Sequence, residues 1–166
     1  MKNLPLISLV LLFFLACQST ETTQPLTADV EQNKAAFVQT LETHLNAVSQ
    51  RDLATLEATL SPQGDMHLIL PQSKMTSTVD AFMDYHRSWF KLESDWTLEN
   101  KIVYTNVGQD MGLAVVEAVY REPERDGKPY FNRMNVSYDL KKVDGKWYVV
   151  KDHMCSVAKS TDTDAR

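Results

Sequence analysis

The side chains best suited to chemistry in this sequence are His153, with its neighbour Asp152, and Glu117. A histidine titrates near neutral pH without help from its surroundings, so His153 could serve as a general base. It lies near the end of a stretch, Trp147 to Val157, that runs from apolar to polar. Strict alternation puts His153 on one strand face with Trp147, Val149 and Lys151, and Asp152 on the other with Tyr148 and Val150. The two could face one pocket only if a bulge intervened. The alternative for His153 is a ring hydrogen-bonded to backbone or to a helix at the rim of a core, with no chemistry.

Glu117 stands between Val115 and Val119. If that face is buried, desolvation raises its carboxyl toward the range of a base for proton abstraction. If Ala114, Val116, Ala118 and Tyr120 are the buried set instead, Glu117 lies on the wet side. Tyr85 or Tyr138 could donate a hydrogen bond to a developing oxyanion in either case. The aromatic residues Tyr85, Trp89, Trp96, Tyr138 and Trp147 could line a cavity for a flat apolar ligand, or pack a core that holds none. His67, His86 and His153 fit no zinc spacing. There is no Gly-rich phosphate loop and no Gly-x-Ser-x-Gly elbow. Neither a metal nor a cofactor is expected.

These residues must be positioned by elements whose pattern is legible. Val30, Phe37, Leu41, Leu45 and Val48 recur at helical spacing over residues 30–50, with Ala36 and His44 nearby on the same side and Asp29 as N-cap. A shorter helix over 53–60 follows, capped by Asp52, then a strand over 66–70 and a polar loop over 71–76. Residues 77–90 form a third helix, capped by Ser77, with Phe82, Tyr85, His86 and Trp89 on one face. From Trp96 onward the period is two. It predicts strands over 97–106, 113–121, 130–142 and 146–157. The connections are a turn at 107–110, a charged loop at 122–127 and the Asp144-Gly145 turn. In the third of these strands Asn132, Met134, Val136, Tyr138 and Leu140 form the core-like set. Strands that follow helices without βαβ alternation give an α+β fold, with the three helices packed on one face of an antiparallel sheet.

At 166 residues, 43% hydrophobic and 23% charged, the chain has the composition of one globular domain. A net charge of −5 argues against a broad nucleic-acid surface. It equally argues against adsorption to anionic lipid by charge alone. Residues 1–17 carry Lys2 and an apolar run from Leu4 to Leu15, too short to span a bilayer but suited to a signal peptide. The sequence Phe14-Leu15-Ala16-Cys17 resembles the lipobox of bacterial lipoproteins. That resemblance implies a lipidated Cys17, a flexible tether over 18–29, a membrane attachment through the lipid and a place in the cell envelope facing the periplasm. Gln18 after the cysteine favours the outer membrane. The alternative is an ordinary secretory leader cleaved near Ala16. If Cys17 carries lipid, Cys155 has no partner in the chain. It then reads as a small buried apolar residue, or as a nucleophile or an intermolecular disulfide. Residues 158–166 form a polar tail.

The element order with its landmarks resembles the NTF2-like superfamily, and within it the SnoaL-like proteins, over roughly residues 30–157. The landmarks are LNAVSQRDLATLEATLSPQGDMHLILP, the third-helix run FMDYHRSWF, and the ending KVDGKWYVVKDHMCSV. The resemblance implies a cone in which the sheet wraps the helices and leaves a pocket open at one end, and a homodimer through the outer sheet face. It also implies activities that vary widely, which fold alone does not choose among. The expected function is a lipid-anchored envelope domain that binds a small apolar molecule or an envelope protein without turnover. The alternative is an isomerase, dehydratase or cyclase with His153 or Glu117 as base. A structural subunit of an envelope complex, marked by an exposed apolar patch, is a third reading.

Overall fold

The computed structural model describes residues 25–72 and 74–162. The leader with Cys17, the tether as far as residue 24 and the tail from residue 163 lie outside the described residues. The elements in chain order are α1 (Pro25–Gln50), α2 (Leu53–Ala58), β1 (Asp65–Ile69), β2 (Met75–Thr78), α3 (Val79–Trp89), β3 (Thr97–Val107), β4 (Met111–Arg125), β5 (Lys128–Val143) and β6 (Lys146–Lys159). The strands form one six-stranded sheet in the order β2-β1-β6-β5-β4-β3. Among the described strands β1 with β6 pairs parallel and the other neighbours pair antiparallel. The sheet is curved and unclosed, and the helices pack on one face of it.

The core lies between that face and the helices. From α1 come Phe37, Leu41, Leu45 and Val48, and from α3 Phe82 and Met83. They meet Ala114, Val116 and Ala118 of β4, Met134, Val136, Tyr138 and Leu140 of β5, and Trp147 and Val149 of β6. Val30, counted with the apolar face by its spacing, is exposed. Phe37 meets Trp147 edge-on at 5.3 Å between centroids. Gly112 lets the sheet approach this pair: a Cβ there would stand 2.6 Å from the Phe37 ring. Asn33 fixes the same end, its amide donating to Gly108 O at 2.8 Å while its carbonyl accepts from Trp147 Nε1 at 3.2 Å.

Several boundaries differ from the pattern-based expectation. Helix α1 begins at Pro25 rather than Val30, since proline is preset for the first helical turn and loses no intrahelical bond there. Asp52 caps α2 as expected, accepting from Ala54 N and Thr55 N at 3.1 and 3.0 Å. The cap of α3 is Thr78, whose hydroxyl accepts from Ala81 N, and not Ser77. The residues before it form strand β2 against β1 instead of a loop. Strand β4 runs through the expected charged loop to Arg125, and the turn tightens onto Asp126-Gly127, both with positive φ.

One irregularity matters most. Across β5 and β6, Asp139 pairs with Lys151 but Leu140 pairs with Val149, so Val150 is an extra residue in β6. This bulge reverses the alternation. Trp147 and Val149 face the core before it; Asp152 faces the core after it, while His153 turns outward.

Candidate functional site

The core does not fill the cone. A cavity of about 290 Å³ remains along β5, lined by Tyr130, Asn132, Met134, Val136 and Tyr138. Leu98 and Asn100 of β3 and Ala118 and Tyr120 of β4 form one wall. Tyr85, His86 and Trp89 of α3 roof it, and Asp152 and Met154 of β6 close the other side.

Asp152 is the chemical centre of this cavity. It is 3% exposed, and its Oδ1 has no hydrogen-bond partner among the described residues. A carboxylate removed from water without a partner is costly, so the proton is held more tightly. Burial accordingly pushes the Asp152 carboxyl up from 3.8 to about 7. The neighbouring phenols respond. Tyr85 is raised by burial and then by the Asp152 charge, and Tyr138, fully enclosed, is raised by the same two causes in the same order. Both therefore stay protonated and can donate.

His86 joins the site as a neutral ring. Its Nδ1 donates to Phe82 O at 2.9 Å, which leaves Nε2 as the acceptor. Burial lowers its pKa to about 4, against a smaller opposing effect of that hydrogen bond. Behind it, His44 Nδ1 lies 2.8 Å from Thr59 Oγ1. The Thr59 hydroxyl hydrogen is already given to Leu56 O at 2.6 Å, so His44 donates and its buried Nε2 is left without a partner among the described residues. Burial first and His86 second lower His44 to about 3.

The outer end carries a closed charge pair. Arg125 Nε donates to Glu122 Oε2 at 2.9 Å, and Arg125 Nη2 donates to Oε1. Tyr120 Oη donates to Glu122 Oε1 at 2.5 Å. The guanidinium lies 3.5 Å from the Tyr130 ring centroid. The hydrogen bond from Arg125 holds the Glu122 carboxyl below its ordinary range. On the α3 side, Trp89 stacks on Trp96 at 4.6 Å and 13°, and Arg51 covers Trp96 at 3.8 Å.

The structure sorts the sequence-derived candidates. Tyr85, Trp89 and Tyr138 line the cavity. Trp96 and Trp147 are buried outside its lining, as packing beneath Trp89 and against Phe37. His153 is exposed on the outer sheet face, because the Val150 bulge exchanges it with Asp152. Glu117 is exposed too, between Lys101 and Asn135 on neighbouring strands, since Ala114, Val116, Ala118 and Tyr120 are the buried set. Cys155 is exposed rather than buried, on the same outer side of β6 as His153. Among the described residues no three His, Cys, Asp or Glu side chains gather to hold a metal. Strict alternation places Asp152 with Tyr148 and Val150 instead of with Trp147 and Val149, and the charged run around Glu122 has the pattern of a loop. The signal for Asp152 was its position just beyond an apolar β-branched pair, where a strand bends toward a rim.

A profile of the SnoaL-like domain matches residues 38–159. No curated protein matches the chain. Among solved structures, a type 2 hexachlorocyclohexane dehydrochlorinase (LinA) superposes with a TM-score of 0.70 at 11% identity, covering 83% of this chain and 94% of that one. A ketosteroid isomerase-like protein from Erwinia carotovora atroseptica gives 0.63 at 16% identity, covering 75% and 95%. The association domain of C. elegans CaMKII gives 0.57 at 19%, also covering 75% and 95%. At such identities the likeness is one of fold.

Proposed function

The chain belongs to the SnoaL-like domain family, and on that premise we propose that its cavity binds a small, mostly apolar molecule whose polar group is held by Asp152. The observation that carries this reading is the buried Asp152 carboxyl, lacking a partner at Oδ1, on the wall of an aromatic-lined cavity. Convergent polar groups in an otherwise apolar hollow are what a ligand site requires. Native mass spectrometry of the full chain, purified gently, tests it. A reproducible added mass that leaves on denaturation is expected. A clean apo mass, with no thermal stabilisation by any member of a library of small apolar compounds, would overturn it.

A second reading is proton transfer, of the isomerase or dehydratase kind. It is favoured by the elevated Asp152 pKa, which suits a group that must take up and release a proton near neutral pH. In that chemistry the Asp152 carboxylate takes a proton from a carbon beside a carbonyl. Tyr85 or Tyr138 donates to the oxygen as charge develops there, and the protonated Asp152 returns the proton to a different carbon. Incorporation of deuterium from heavy water into the bound molecule by the wild type, and its loss in Asp152→Asn, would establish turnover. A bound molecule that exchanges no proton leaves binding alone.

We further propose that Cys17 is lipidated and tethers the domain in a bacterial cell envelope. Incorporation of labelled fatty acid by the wild type and not by Cys17→Ser tests this. A homodimer through the outer sheet face is proposed on the exposure of Tyr104, Leu113 and Phe131 there. Sedimentation of the wild type against Leu113→Glu checks it.

A further inference from the structure

The charge that the ligand carries follows from the charges the cavity already holds. Among its described lining residues, Asp152 and Arg125 are the carboxylate and the guanidinium. Arg125 is bound on two nitrogens by Glu122, so its charge is met before any ligand arrives. Beside Asp152 stand Tyr138 of β5 and Leu68 of β1 on the neighbouring strands, with Tyr85 of α3 near enough to feel its charge; His86 of α3 shares the cavity lining and His44 of α1 packs against Tyr138. None is a cation: both phenols keep their protons, and both histidines are neutral rings donating through Nδ1. Lys151 is turned to the outer face and bound to Asp139 at 2.5 Å. Asp152 is therefore the one carboxyl of this cavity without a counter-charge among the described residues.

The walls suit a positive partner as well. Tyr85, Trp89, Tyr120, Tyr130 and Tyr138 present aromatic rings around a hollow near the lower limit of ligand cavities. Ring faces carry negative potential and attract cations, most strongly where water is excluded. An anionic ligand would find no free cation among the described lining residues and would face Asp152. Resting on the ligand-binding reading above, we propose that the ligand class is a protonated amine on a compact apolar or aromatic body, its ammonium paired with the Asp152 carboxylate and faced by the Tyr85 and Tyr138 rings. Binding would convert Asp152 from a group held protonated by burial into an ionised partner of the amine.

Calorimetric titration of the full chain with phenethylamine, phenethyl alcohol and hydrocinnamate separates the outcomes, because the three probes share a body and differ in charge. At about pH 8 the amine is expected to bind on the order of tenfold more tightly than the alcohol. That preference should shrink at about pH 6, where Asp152 regains its proton, and vanish in Asp152→Asn. A thermal melt of that variant confirms that it is folded, and the pH comparison on the wild type stands without it. Alcohol binding as tight as amine binding at the higher pH would overturn the amine class and leave a ligand site for neutral molecules. Hydrocinnamate binding best would do the same for an anionic ligand. Binding of none of the three, together with a clean apo mass, would overturn the ligand-binding reading itself.

Discussion

Asp152 lies directly across the β5–β6 ladder from Tyr138, and both side chains line the same cavity. The pair puts a buried acid beside a phenol that cannot easily lose its proton. Removing the charge without changing the shape should therefore stabilise the unliganded protein. Asp152→Asn is expected to raise unfolding free energy by about 1–3 kcal/mol at alkaline pH. Chemical denaturation of variant and wild type at about pH 8 checks this.

The same residue sets one arm of the pH dependence. Its folded pKa is raised from 3.8 to about 7, so its stabilising effect is full below 3.8 and is lost as pH rises through about 7. His44 and His86 work in the other direction. Their folded values fall from 6.5 to about 3 and about 4, so their contribution is present above 6.5 and is lost as pH falls through those values. Two histidines outweigh one carboxyl up to about pH 6.5, and none of the three titrates far above pH 7, so melting temperature should rise with pH and level off near pH 7. In Asp152→Asn the rise below about pH 6.5 should be steeper, because the opposing carboxyl is gone; an unchanged slope would assign the pH dependence to other groups.

Gly112 is required by Phe37. A methyl group there meets the ring at 2.6 Å, well inside contact distance, and the ring is wedged between strand and Trp147. Gly112→Ala should cost about 1–3 kcal/mol through overpacking. Adding Phe37→Leu to that variant should recover part of the loss, giving a non-additive double-mutant cycle. Additive losses would show that the two positions do not share the strain.

His153 and Glu117 stand on the outer face and do not reach the cavity. His153→Ala and Glu117→Gln should leave the affinity for any cavity ligand within about twofold of wild type, as expected of surface changes. Titration with whichever probe binds the wild type decides the matter. A loss comparable to that of Asp152→Asn would place those residues in the site after all.

The sequence by itself determined every element but β2, the buried faces of the helices and the inward row Met134, Val136, Tyr138 and Leu140, because hydrophobic periodicity is a local property set by burial on one side. It also marked Tyr85, Trp89 and Tyr138 as aromatic residues with a polar or flat surface to offer. Tertiary structure decided which of two adjacent residues, Asp152 or His153, faces inward. That choice rests on the single unpaired residue Val150, and a bulge arises from how a long strand must bend to follow its neighbours around a cone, not from the chemistry of the residue itself. The same holds for Glu122: it reads as loop in a charged run, yet is buried because Arg125 and Tyr120 close on its carboxylate once β4 and β5 are paired. Alternation carries a strand's pattern forward only until the register shifts, and the one carboxyl that lines this cavity, Asp152, lies beyond the shift.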